Sequence, residues 1–318
     1  MSNISSIPFM RYRHIAACIS GALVLMALIL LMVRGLNYGL DFTGGTQVSL
    51  HYSGVPSLDE IRSTLTTNGF PNHEVVNVGD DQDVMIRVQD SGEAVAKGSS
   101  NEDLSKGTAT KVVEVLKAAT KLDVTITSSS FVSSQVGQEM KELGVLGGLL
   151  SLFMIMLYIA FRFQFKFSVG AVVSLAHDTI LTLGFFALTR MNFDLTVLAA
   201  VLAVIGYSLN DTIVVADRIR ENFRLLRGLE PAEIIDISIT QTMARSIITS
   251  LTVVLVLLAL LFVGGEVVRG FSAAMLVGVF FGTTSSIYVA ASILMYMNVS
   301  RLDLVVPVKK QEELDSMP

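Results

Sequence analysis

Residues 195–216, LTVLAAVLAVIGYSLNDTIVVA, carry a single charged side chain, Asp211, in an otherwise uncharged run. About 20 apolar residues in helical form are enough to cross the hydrocarbon core of a bilayer. Five more runs read the same way: His14–Val33, Leu143–Phe161, Ser168–Leu188, Ser246–Gly264 and Gly270–Asn298. Lipid offers no partner for backbone N–H and C=O groups, so each run must satisfy its own and is expected to be a helix. The last is long enough to span with tilt. The expected fold class is an α-helical polytopic membrane protein with six transmembrane helices.

Composition agrees with this reading. Apolar residues make up 52% of the 318 and charged residues 16%, where a soluble chain carries roughly 25% charged residues. The mean hydropathy is +0.61. The net charge of −5 and the absence of a basic patch argue against a nucleic-acid partner. One cysteine, Cys18, excludes an internal disulfide and a Cys-based metal or redox motif, and is expected to be a small buried hydrophobe. The first run is longer than the 7–15 residues of a signal-peptide core and has no small-x-small cleavage pattern before Arg34, so a retained helix is expected.

Basic residues orient the spans. Arg11 and Arg13 precede the first, Arg162 and Lys166 join the second to the third, Arg218, Arg220, Arg224 and Arg227 follow the fourth, and Arg301, Lys309 and Lys310 follow the sixth. All fall on one side if both termini are cytoplasmic, whereas Arg190 and Arg269, too few to overturn the orientation, face the other. The organisation expected is a cytoplasmic N-terminus (1–13), a first transmembrane helix (14–34), an extracytoplasmic domain (35–142), transmembrane helices two to six (143–300) and a cytoplasmic tail (301–318). The six prolines lie outside the runs, which argues against Pro-broken half-helices around a midplane substrate. Gly144/Gly148 and Gly278/Gly282 form GxxxG pairs, suited to close helix packing within the chain or against a partner subunit.

The 35–142 segment has soluble character. Thr46–Tyr52, Glu74–Val78, Val84–Val88 and Val124–Phe131 read as strands, and Ser57–Thr67 and Leu104–Lys121 as helices, the first with a Ser57/Glu60 capping box. Glu93–Asn101 reads as an exposed loop. The order β-α-β-β-α-β is the ferredoxin-like α+β arrangement. His51 and His73 have no ligand-spaced companion, so no metal site is expected, and neither is a catalytic constellation.

Ionisable groups inside spans are costly and mark function by default. Asp211 is the first; Tyr207 and Ser208, one turn earlier, are placed to hydrogen-bond it, and Asn210 and Thr212 flank it. Arg245, at the start of the fifth span, falls at similar depth and is a candidate ion-pair partner. The pair reads either as a proton relay, with Asp211 the titrating member, or as a static polar clamp. The second place is His177-Asp178 in the third span, where Asp178 either extends a proton path or holds a neighbouring helix. Asp217–Asn222 reads as a salt-bridged helix end, and Pro231–Met243 as an interfacial helix.

The GLDFTGGT stretch of residues 39–46, together with residues 206–222, resembles the SecD/SecF family of bacterial protein-export membrane proteins. The resemblance implies that the six helices are one half of an RND-type (resistance-nodulation-division) fold in the bacterial inner membrane, with a periplasmic loop domain and with SecD supplying the other half. It further implies a non-enzymatic subunit with no cofactor, drawing on the proton gradient to help the SecYEG translocon move exported unfolded polypeptide. SecD, SecYEG and YajC would be its partners, in contact with membrane lipid. It places proton conduction on Asp211 and Arg245. Half of an RND-type small-molecule exporter and a non-conducting structural subunit are the alternatives.

Overall fold

The computed structural model describes residues 6–78, 80–88, 101–120, 122–162 and 165–300. The expected tail 301–318 and all of the expected loop Glu93–Asn101 except Asn101 lie outside the described residues.

Among the described residues, six helical segments are long and apolar enough to cross a membrane. They are α1 (Arg13–Arg34), α5 (Ser134–Arg162), α6 (Phe165–Thr189), α7 (Leu195–Leu225), α8 (Pro231–Val263) and a last span made of α9 (Gly265–Ser285), a π-helical turn (Ser286–Ala290) and α10 (Ala291–Tyr296). Helices α6, α7 and α9 form the interior, whereas α1, α5 and α8 are peripheral and turn apolar side chains such as Leu25, Phe153 and Val256 outward. Cys18 belongs to that outward surface: it is exposed, not buried as expected, because α1 packs mainly on α6 along its opposite side.

Three boundaries differ from the hydropathy reading. Helix α5 starts nine residues before Leu143, because Gln135–Glu142 continue the helix while carrying too many polar groups to count as apolar. Pro231–Met243 is not a separate interfacial helix but the first third of α8. Pro231 sits in the first turn, where its missing N–H costs nothing, and Glu230 and Glu233 close a capping box around it. Helix α7 runs on through Asp217–Asn222 to Leu225, and the expected salt-bridged end is present as Arg218–Glu221 at 2.5 Å.

Between α1 and α5 lies the α+β domain, with β2 (Gly45–Tyr52), α3 (Leu58–Thr67), β3 (His73–Val78), β4 (Asp80–Val88), α4 (Asn101–Ala119) and β5 (Val124–Val132). The sheet order is β3-β4-β2-β5, every neighbour antiparallel, as the ferredoxin-like reading requires. Its core is the inward face of the sheet against α3 and α4, with Val48, Leu50, Tyr52, Ile61, Ile86 and Leu116 fully buried. Ser57 accepts the Glu60 N–H at the start of α3.

The domain is tied to the helix bundle at several points. Two-residue strands β1 (Asn37–Tyr38) and β6 (Asn192–Phe193) pair in parallel, and Asn192 donates a hydrogen bond to Glu74 of β3. The short helix α2 (Leu40–Thr43) stacks Phe42 on Phe193. Gly44 and Gly45, at φ +78 and +144, turn the chain from α2 into β2; such angles favour residues without a Cβ.

Candidate functional site

Close packing of α9 on α7 brings the polar interior together. A Cβ at Gly278 would overlap Val204, and one at Gly282 would lie 3.0 Å from the Cβ of Ser208. The second GxxxG pair therefore packs within the chain. Of the first pair, Gly144 abuts Leu198, while Gly148 faces open space.

Beyond Gly282 the consecutive residues Ser285 and Ser286 reach two different helices. Ser285 Oγ donates to Asp178 Oδ2 of α6 at 2.8 Å, and Ser286 Oγ donates to Asp211 Oδ2 of α7. The π-helical turn begins at Ser286; such wide turns are rare and gather at functional sites.

Each carboxylate has further donors. Asp211 is buried and also accepts from Ser246 Oγ of α8. Asp178 is 1% exposed; Ser208 Oγ donates to its Oδ2 at 2.6 Å and His177 Nδ1 lies 2.9 Å from its Oδ1. Ser174 Oγ donates in turn to Ser285 Oγ at 2.9 Å. Hydroxyl donors satisfy a carboxylate in a medium where an unpaired one is costly, without neutralising it as a cation would.

The expected partners are redistributed. Arg245 does not pair with Asp211: Ser246, its neighbour on α8, takes that place, and Arg245 is exposed on another face. Adjacent helical residues point about 100° apart, which residue spacing alone did not resolve. Arg245 lines a cavity of about 500 Å³ with Tyr158, Arg162, Asp217, Arg218 and Glu221. Ser208 serves Asp178 rather than Asp211, and Tyr207 reaches Ser250 of α8 at 3.3 Å. Asn210 is exposed. Thr212 is buried, its hydroxyl without a partner among the described residues. Among the described residues no cluster of three or more His, Cys, Asp or Glu is placed to hold a metal.

Residues 111–300 match the family model for protein export membrane protein SecD/SecF, C-terminal, and residues 29–54 match the SecD/SecF GG motif. The chain belongs to the SecD/SecF family. Among curated SecD/SecF relatives, the protein translocase subunit SecF of Haemophilus influenzae is 42% identical over 310 residues, covering 98% of this chain and 91% of that one. SecF of Pseudomonas aeruginosa is 42% identical over 315 residues, covering 99% of each. Among solved structures, SecDF from Thermus thermophilus superposes with a TM-score of 0.74 at 34% identity, over 94% of this chain and 40% of that one. This SecD/SecF chain thus spans less than half of the solved SecDF chain.

Four serines of this SecD/SecF site, Ser174, Ser246, Ser285 and Ser286, went unrecognised in the sequence. Single serines are ordinary in membrane helices, where they bond their own backbone. The one available signal was the polar run Thr283–Ser286 inside the last apolar segment.

Proposed function

We propose that this chain is a proton-motive-force-driven accessory subunit of Sec-dependent protein export, and that it acts with SecD. SecYEG, YajC and the exported unfolded polypeptide are its further partners in the bacterial inner membrane. Both termini are cytoplasmic and the α+β domain periplasmic, a reading supported by the basic residues at the α7 end and the α5–α6 connection. Relatives named as translocase subunits and fused SecDF chains support the assignment.

The observation that carries the proton role is the environment of Asp211: a buried carboxylate in the helix interior, held by two hydroxyls, with Arg245 one residue from its Ser246 donor. Ionised Asp211 accepts both serine hydroxyls. Protonated Asp211 carries an O–H of its own, and the set must rearrange. Arg245 keeps its charge throughout and is the switching partner that moves from its cavity toward the carboxylate in the alternate state. Asp178 is a further member of the relay. No bound cofactor enters this scheme.

Asp211→Asn keeps shape and removes the titrating group. The expected result, in inner-membrane vesicles with normal amounts of inserted protein, is loss of the part of export that responds to the proton-motive force. Unchanged export in that assay would refute the relay.

A further inference from the structure

We propose that His177 and Asp178 form a second proton-holding site, tied to Asp211 by the consecutive serines Ser285 and Ser286. The inference rests on the relay reading of Asp211; to the membership of Asp178 it adds His177 as a proton holder and the device that links the two carboxylates.

Three observations converge on it. Asp178 is the more deeply buried of the two carboxylates and has three side-chain donors, Ser208, Ser285 and His177. That set suits the ionised form, while His177 can hold the proton on the other side of the same contact. The ring is only half used: Nδ1 meets Asp178, whereas Nε2 is buried without a hydrogen-bond partner among the described residues. His177 also lines a cavity of about 320 Å³ between α1, α6 and the last span, as does Ser292, whose buried hydroxyl is likewise unpartnered. A buried imidazole nitrogen without a partner calls for an explanation, and a proton-exchanging role supplies one.

The link lies in the serines. Each hydroxyl has one proton and two acceptors within reach. Ser285 Oγ lies 2.8 Å from Asp178 Oδ2 and 3.1 Å from the Gly282 carbonyl. Ser286 Oγ donates to Asp211 and lies 2.9 Å from the Thr283 carbonyl. An ionised carboxylate is the stronger acceptor. Once it is protonated, the hydroxyl can turn to its own helix. Because the two residues are adjacent and open the π-helical turn, displacement at one is transmitted to the other through a single peptide. Ser208 adds a second link, since it donates to Asp178 from one turn before Asp211 on α7.

Besides Arg245 of α8, one residue from the Ser246 donor, and Tyr207 of α7, engaged with Ser250, few titratable groups face this pair. Tyr288 and Tyr296 line the His177 cavity, to which α1 contributes Ser20, and His14 of α1 is engaged with Tyr296 at 3.2 Å. Residues 143–161 of α5 and 270–285 of α9 carry no charged side chain. Asp178 and Asp211 are thus the two carboxylates that Ser285 and Ser286 connect.

Infrared spectroscopy of the full-length chain in proteoliposomes, followed over pH, tests this. The carboxylic C=O bands lost in Asp211→Asn and in Asp178→Asn assign the two groups. The expected result is that the Asp211 band shifts its midpoint by about one pH unit in Asp178→Asn, the scale at which sites count as coupled. A smaller shift in the same direction is expected in Ser285→Ala, which touches Asp178 and not Asp211. Ser285→Cys, close in shape and a weaker donor, supplies the reading if either variant fails to fold. An Asp211 midpoint that stays put in these variants, or an Asp178 that never titrates, overturns the second site while leaving the relay at Asp211 standing. Absence of any titrating Asp211 band overturns both.

Discussion

Arg245 and Ser246 are neighbours on α8 that serve different surroundings: the serine hydroxyl closes on Asp211 in the helix interior, and the guanidinium faces the cavity shared with Asp217 and Glu221. One helix thus presents a neutral donor to the carboxylate and a fixed cation to the neighbouring cavity from adjacent positions. Roughly 100° of helical rotation separates them.

That arrangement lets the coupling role proposed for Arg245 be tested apart from a structural one. Arg245→Met removes no contact to Asp211, so the protein should accumulate and insert at wild-type levels. Export responding to the proton-motive force should fall to the level of Asp211→Asn. Combining the two substitutions should cost no more than either alone, because they remove the same step. Immunoblotting of membranes alongside vesicle export measures both quantities. Poor accumulation of Arg245→Met would instead mean that the side chain holds the fold.

The glycines of the last span make a structural prediction. Gly278→Val drives a side chain into Val204 across the α7–α9 contact, and overpacking of this kind costs about 1–3 kcal/mol. Gly148→Ala is the control, since nothing lies within 4 Å of the added Cβ, and it should change stability by no more than about 0.5 kcal/mol. Thermal denaturation in detergent distinguishes the two. Gly278→Val should also impair coupling, because Ser285 and Ser286 ride on the same helix.

How much of this was legible beforehand follows from what each signal encodes. Hydropathy reports transfer out of water, so it located six spans and two intramembrane carboxylates. Side-chain alternation and the Ser57 cap located the α+β domain. Neither reports how far a helix is turned about its axis, and that rotation decides whether Arg245 or Ser246 meets Asp211, and whether Ser208 serves Asp211 or Asp178. The start of α5 and the union of Pro231–Met243 with the fifth span were hidden for another reason: polar residues extend a helix beyond the apolar layer without extending its apolar run.

In the α+β domain, Tyr52 offers a test by pH. Its side chain is fully buried, its hydroxyl has no partner among the described residues, and burial pushes its pKa up to about 12. The unfolded chain ionises this group near pH 10, so between about 10 and 12 the unfolded state loses its proton first and stability falls as pH rises. Below that window the group contributes no slope. Tyr52→Phe should remove this part of the alkaline decline. It should also raise stability at neutral pH by about 1 kcal/mol, since it deletes an unsatisfied buried hydroxyl. Urea denaturation of both proteins at pH 8 and pH 11 gives the comparison. An identical alkaline slope in the two would show that Tyr52 does not titrate in this window.

Asp41, in the GLDFTGGT stretch, accepts the backbone N–H of Leu195, the first residue of α7, while Asp194 caps the same end from the N-cap position. Four residues after Asp41 the chain enters β2, at the centre of the sheet. Sixteen residues separate Leu195 from Asp211, about 24 Å of uninterrupted helix. The α+β domain and the carboxylate are thus joined by a stiff rod gripped at its head. Whatever displaces Asp41 therefore acts on the rod at its end, in line with the carboxylate.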